Sequence, residues 1–260
     1  MITQSAEAKD DAAARLLNML IAAHATGHGV AGLAAEDFQI SQAEAYRVQA
    51  DIAKTIGPTV GWKVGRKAPT AAPAFAPLFE NRIHRSDATL PRDNFRLWLL
   101  EAELVFRVGR NLPPIGRPYA RQEIFEAIDE VSAGFEIIDS RFAAWPDLTP
   151  QLLVADLLSH GAMVIGSGVS PSPAMSFERA KVRFLIDERV AVEGEGGNPA
   201  GDVIELVVWL ANHLALTGVG LRAGDLVTTG SYTGMTQLPP GSRAVADFAD
   251  IGSVAIARSA

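Results

Sequence analysis

No cysteine occurs among the 260 residues, and that absence excludes disulfide staples, zinc–thiolate centres and thiol nucleophiles together. It accords with a reducing, cytoplasmic setting. No stretch reaches the ~20 consecutive apolar residues that a bilayer-spanning helix needs. The apolar run Leu16-Leu17-Asn18-Met19-Leu20-Ile21-Ala22-Ala23 follows Glu7, Lys9, Asp10, Asp11 and Arg15, a mixed flank unlike the positive leader of a secretory signal. Positive charge is scarce and scattered. The 23 Lys and Arg stand against 30 Asp and Glu, a formal net charge of −7. Such a field repels nucleic acid and anionic membrane surfaces, so neither is expected as a partner. An anionic substrate needs a local cation to reverse that field, which turns attention to metal-binding acids and placed lysines or arginines.

Familiar catalytic signatures are missing too. There is no G-x-S-x-G nucleophile elbow, so acyl-enzyme chemistry has little support. The run Gly194-Glu195-Gly196-Gly197-Asn198-Pro199 departs from G-x-G-x-x-G spacing, contains a proline and reads as a turn. The histidines His24, His28, His84, His160 and His213 show no metal-ligand spacing. His213 sits within an amphipathic helix and is expected to be structural. His160, in Leu158-Ser159-His160-Gly161, either reaches a site or serves a turn.

What is present is an ordinary globular composition, 48% hydrophobic and 20% charged. The pattern predicts a helix over 6–26, with Leu16, Leu20 and Ala23 on one face and Gly27 as its stop. Ser41-Gln42-Ala43-Glu44 is a capping box for a second helix striped by Ala45, Val48 and Ile52. Strands are expected at 60–64, 97–108, 132–138 and 162–165, with a hairpin over 181–186 and 190–192. Short helices are expected at 121–128 and 149–158. Residues 65–81, with Pro69, Pro73 and Pro77, read as a long loop of the lid or substrate-binding kind. Residues 202–217 form the clearest helix, capped by Asp202 and closed at Gly218, and a strand-rich tail follows. Helices first and strands afterwards indicate an α+β fold.

Four segments carry candidate chemistry. In Leu99-Leu100-Glu101-Ala102-Glu103-Leu104-Val105-Phe106 the two glutamates are spaced by two, so on a strand both carboxylates project from one face. Such a pair must be solvated, share a proton or bind a cation; an exposed strand face is the plain alternative. Glu136 interrupts a second apolar strand, and three carboxylates from neighbouring strands would suit Mg2+ or Mn2+. Nearby Asp139 and Arg141 read as an ion pair or turn. Lys63, in Gly61-Trp62-Lys63-Val64-Gly65, is a lysine within an apolar strand that would neutralise a carboxylate or move a proton, or else mark a sheet edge. Thr228-Thr229-Gly230-Ser231-Tyr232-Thr233-Gly234 offers hydroxyl and backbone donors at close approach, though such turns are common.

Together with Val154-Ala155-Asp156, Trp209-Leu210-Ala211-Asn212, Leu221-Arg222-Ala223-Gly224-Asp225, Ala246-Asp247-Phe248 and Ile251-Gly252-Ser253-Val254, these segments resemble the fumarylacetoacetate hydrolase superfamily. The resemblance lies with its 2-keto-4-pentenoate hydratase and 4-oxalocrotonate decarboxylase branch, collinearly from about residue 40 onward. It implies an N-terminal helical region, residues 1–58, and a mixed β-sheet roll, residues 59–260, as the metal-binding catalytic domain. It also implies a homo-oligomer, a small 2-keto or enol acid as substrate, and Mg2+ or Mn2+ held by Glu101, Glu103 and Glu136. Lys63 and Glu101 would be catalytic, and Ser159, His160, Ser231 and Thr233 would meet the substrate. The expected reaction is hydration of a 2-hydroxy-2,4-dienoate to a 4-hydroxy-2-oxo acid. Decarboxylation of a 4-oxalocrotonate, hydrolysis of an acylpyruvate C–C bond, and non-catalytic keto-acid binding are the alternatives. Two departures stand out: Ala74 occupies a position where the hydratases carry an acid, and His160 one where relatives often have serine.

Overall fold

The computed structural model describes residues 3–27 and 38–260, with side chains from residue 12 onward; His28 lies outside the described residues. Helix α1 (Thr3–Thr26) buries Leu16, Leu20 and Ala23, and α2 (Gln42–Ile56) buries Ala45, Val48 and Ile52. The capping box forms as its spacing predicts: Ser41 N–H donates to Glu44 Oε2 at 2.6 Å and Glu44 N–H to Ser41 Oγ at 3.3 Å. Among the described residues no helix is long and apolar enough to cross a membrane.

Two sheets follow. The larger contains β1 (Thr59–Gly65), β2 (Ala74–Phe79), β3 (Ile83–Arg85), β5 (Leu99–Val108), β6 (Ile128–Ile138), β7 (His160–Val169) and β10 (Leu226–Ser231), in the order β2-β1-β10-β5-β6-β7-β3, with β11 (Thr236–Gln237) added to β5. The smaller runs β4-β13-β12-β8-β9, from β4 (Ala88–Leu90), β8 (Lys181–Ile186), β9 (Arg189–Glu195), β12 (Arg243–Phe248) and β13 (Gly252–Arg258). Both sheets are mixed, since β1 pairs with β10, β3 with β7 and β13 with β4 in parallel. With the N-terminal helices this is the α+β architecture expected.

The main core takes Leu100, Ala102, Leu104 and Phe106 of β5, Ala133, Phe135 and Ile137 of β6, Phe184 and Phe248 of the smaller sheet, and the apolar face of α5 (Val203–Leu216). A second core joins α1 and α2 to α4 (Pro150–Ala155), Phe142, and Ala76 and Phe79 of β2. Because side chains alternate along a strand, the opposite face of β5 and β6 carries Glu101, Glu103 and Glu136.

The expected loop over 65–81 is corrected: β2 occupies 74–79 and pairs antiparallel with β1. Its proline, Pro77, is tolerated because β2 ends the sheet and needs no donor on its outer side. The sixth and seventh strands and β9 are longer than expected, and the helix at 121–128 is only α3 (Arg121–Phe125). His213 is structural as expected, stacked on Trp209 with ring centroids 4.8 Å apart.

Candidate active site

Strand register brings the three acids together. Glu101 lies directly across from Glu136 in the antiparallel β5–β6 pair, and Glu103 follows two residues on. One carboxylate oxygen from each of the three comes within 4.8 Å of the others. Glu136 and Glu103 are buried and Glu101 is half-buried, so the exposed-strand alternative is set aside.

Lys63 joins them from β1. Gly61, two residues before it, allows that strand its place, since a Cβ there would overlap the Leu226 carbonyl of β10. Lys63 Nζ donates to Glu136 Oε1 at 2.6 Å and to the Leu158 carbonyl at 3.1 Å. His160 Nδ1 bonds the same Glu136 Oε1 at 2.8 Å. Two donors therefore converge on Oε1, while Oε2 is buried with no partner. Glu103 Oε2 accepts the Gly230 N–H at 3.1 Å.

Electrostatics divide the three acids. Burial, reinforced by Glu136, pushes Glu101 up to about 7, with Lys63 opposing. Burial pushes Glu103 well above the usual carboxylate range, and both neighbouring glutamates add to the effect. Burial acts upward on Glu136 as well, but Lys63 and His160 outweigh it and hold the acid low. Burial pulls His160 down to about 4 against the opposing pull of Glu136. The imidazole is thus a neutral Nδ1–H donor to an ionised Glu136, not half of an ion pair. This donor set, all carboxylate oxygens with one buried oxygen unpartnered, fits a hard divalent cation.

The remaining expected residues take different places. Ser159 is buried and its hydroxyl has no partner. It closes a left-handed stretch, Leu157, Leu158 and Ser159 at φ 55°, 53° and 59°, that aims the Leu158 carbonyl at Lys63. For non-glycine residues this conformation costs roughly 1–2 kcal/mol each, a strain typical of functional segments. Ser231 is the cross-strand partner of Glu103. Its hydroxyl meets the Thr233 N–H and the Gly234 carbonyl, while Thr233 Oγ1 accepts the Ala102 N–H at 3.1 Å. Ala74 and Ala76 face Gly65 and Lys63 across the β1–β2 pair, so the Lys63 side of β2 carries no acid.

A buried neighbour was missed in the sequence. Arg141 pairs with Asp156, not with Asp139: its Nε donates to Asp156 Oδ1 at 2.5 Å and its Nη1 to the His160 carbonyl at 2.8 Å. An aspartate closing a short helix is a weak signal, and the pairing spans fifteen residues.

Residues 62–257 match the fumarylacetoacetate hydrolase C-terminal family model, and the chain belongs to that family. It is similar to the 2-keto-4-pentenoate hydratase of Paraburkholderia xenovorans strain LB400, 31% identical over 168 residues, 64% of this chain and 61% of the relative. It is also similar to the 2-hydroxyhexa-2,4-dienoate hydratase of Comamonas testosteroni, 30% identical over 55% of this chain and 53% of that one. The matched part thus spans less than two thirds of either relative. Among solved structures, the 4-oxalocrotonate decarboxylase from Pseudomonas putida G7 complexed with magnesium and adipate shares the fold, with TM-score 0.83, 23% identity, and coverage of 96% of this chain and 97% of that one.

Proposed function

We propose that the chain is a divalent-metal-dependent hydro-lyase that adds water to a 2-hydroxy-2,4-dienoate to give a 4-hydroxy-2-oxo acid. The observation that carries this reading is the cluster of Glu101, Glu103 and Glu136 with Glu136 Oε2 buried and unpartnered. Hydratase relatives supply the substrate class. The three glutamates would hold Mg2+ or Mn2+, which when bound would supply a Lewis acid that stabilises negative charge developing on the substrate's oxygens.

The chain's own residues do the rest. Lys63 Nζ, tethered by Glu136 and Leu158, has N–H capacity left for the substrate and is placed to relay the proton between the C2 hydroxyl and the diene carbon. Ser159 Oγ is the free hydroxyl for the substrate carboxylate. Ser231 and Thr233 border the Glu103 side and shape its turn. His160 holds Glu136 through Nδ1, and its buried, unpartnered Nε2 is left to meet the substrate. Of the expected helical region 1–58, α1 and α2 pack on α4 and β2 of the expected roll 59–260, and a homo-oligomer is the expected assembly.

The test is product identification. Incubation with 2-hydroxypenta-2,4-dienoate and Mg2+ or Mn2+ is expected to yield 4-hydroxy-2-oxopentanoate by NMR, and chelation with EDTA to stop it. No conversion with either ion overturns the reading.

One observation favours a second reading, decarboxylation of a 4-oxalocrotonate. Ala74 and Ala76 leave the strand beside Lys63 without an acid to deprotonate water, and loss of CO2 needs no such group. Release of CO2 from 4-oxalocrotonate without hydration of the dienoate selects it.

A further inference from the structure

A cavity apart from the glutamate cluster lies beside Gly161 and Ala162, next to His160. It encloses about 220 Å³ and is walled by His24 of α1, Arg82, His84 of β3, Arg96, Asp139 and Arg141. Neither Lys63 nor any of the three clustered glutamates lines it.

Its three guanidinium groups are satisfied unequally. Arg141 is occupied by Asp156 and by the His160 carbonyl. Arg96 Nη2 donates to the carbonyls of Ser140 at 3.2 Å and Phe142 at 2.8 Å, with no carboxylate. Arg82 donates to His24 Nδ1 at 3.0 Å and, at 3.5 Å, to the His160 carbonyl. Among the described residues it has no ion-pair partner. Asp139 commits Oδ1 to the backbone N–H groups of Arg96 and Leu97, both at 3.0 Å.

The histidines do not alter this balance. A guanidinium only donates, so His24 Nδ1 must accept and the ring stays neutral. Burial, with Arg141, Arg82 and His160 adding to it, holds His24 down near 2, and burial lowers His84 as well. Among the described residues, three guanidinium charges therefore face two carboxylates, Asp139 and Asp156, leaving one positive charge without a counter-ion. In a chain of net charge −7, a largely buried cation left in this state is costly unless something pairs with it.

We propose that this cavity is a binding site for a small monovalent carboxylate, gripped by Arg82 with Arg96 and separate from the glutamate cluster. A planar carboxylate matches the guanidinium fork. The single uncompensated charge and the nearby Asp139 favour a monoanion over a phosphate dianion. The volume corresponds to roughly seven water molecules, which suits an acid of a few carbons. One residue separates the two sites: the His160 carbonyl accepts from Arg141 and Arg82 while its ring holds Glu136. The inference stands independently of the reaction proposed above.

The test uses the full chain, freed of metal with EDTA so that the glutamates offer no cation to a carboxylate. Calorimetric titration with propionate is expected to show one saturable site per chain, accompanied by a rise in thermal midpoint. Arg82→Gln is expected to weaken uptake at least about tenfold, and Glu103→Gln to leave it unchanged. Should Arg82→Gln fold poorly, Arg96→Gln, altered at an exposed side chain, is expected to weaken uptake severalfold. No saturable uptake overturns the proposal. So does uptake lost in Glu103→Gln but kept in the arginine variants, or inorganic phosphate binding more tightly than propionate.

Discussion

Two buried charge clusters meet at His160, and they are completed to different degrees. On the Asp156 side every group is satisfied: Oδ1 takes Arg141 Nε, Oδ2 takes Ser140 Oγ at 2.8 Å and Arg141 N–H at 3.0 Å, and the Asp156 carbonyl takes Arg141 Nη2 at 2.8 Å. On the Glu136 side three carboxylates face one lysine, and Glu136 Oε2 and Ser159 Oγ have no partner. Buried polar groups are ordinarily paired, so a complete network reads as structure and an incomplete one as a place for a ligand. The same residue serves both, with its backbone fixed by arginine and its ring fixing a glutamate.

The comparison is broken most directly at the acids. Glu136→Gln or Glu103→Gln is expected to abolish Mg2+ or Mn2+ uptake by calorimetry and to lower turnover by about a thousandfold or more, while metal-free Glu103→Gln keeps its stability because burial already disfavours a charge on Glu103. Asp156→Ala is expected to do the reverse. Stranding buried Arg141 costs about 3–5 kcal/mol of unfolding free energy, readable by urea titration. If both substitutions unfolded the protein alike, the distinction between the clusters would be wrong.

His160 sharpens it. His160→Ala is expected to weaken metal affinity by about 10–100-fold, the usual cost of losing a group that orients a ligand. His160→Gln, whose amide still donates, should recover part of that loss.

The smallest effect is a pH trend. Glu101 is raised in the folded state to about 7. The folded protein therefore binds more protons than the unfolded chain between its ordinary value and that one. Its contribution to stability is present at low pH and is lost as pH rises through 7. Between pH 5 and 8, metal-free wild type should lose thermal midpoint relative to Glu101→Gln, and Mg2+ added at pH 8 should close the gap. A gap independent of pH would mean that Glu101 is ionised throughout.

Local features were legible because their causes are local. The Ser41–Glu44 box, the Asp202 cap and the stripe of α5 all depend on spacing within a few residues. Glu101 and Glu103 were legible as a pair because strand alternation puts them on one face, and Glu136 stood out as a lone acid among apolar residues. The left-handed turn at Leu157-Leu158-Ser159 left no trace, since none of the three is a glycine or asparagine. Strand β2 was hidden by Pro77, whose tolerance depends on the strand lying at a sheet edge.

From the sequence alone came the donor types: three isolated acids, a lysine in an apolar strand, no thiol, and the family to which such residues belong. Only the tertiary structure decided which of them meet. Placing Glu101 opposite Glu136, bringing Lys63 and His160 onto the same oxygen, and giving Arg141 to Asp156 all follow from strand register and sheet order. Those are set by packing between segments far apart in the chain, which no short window of residues encodes.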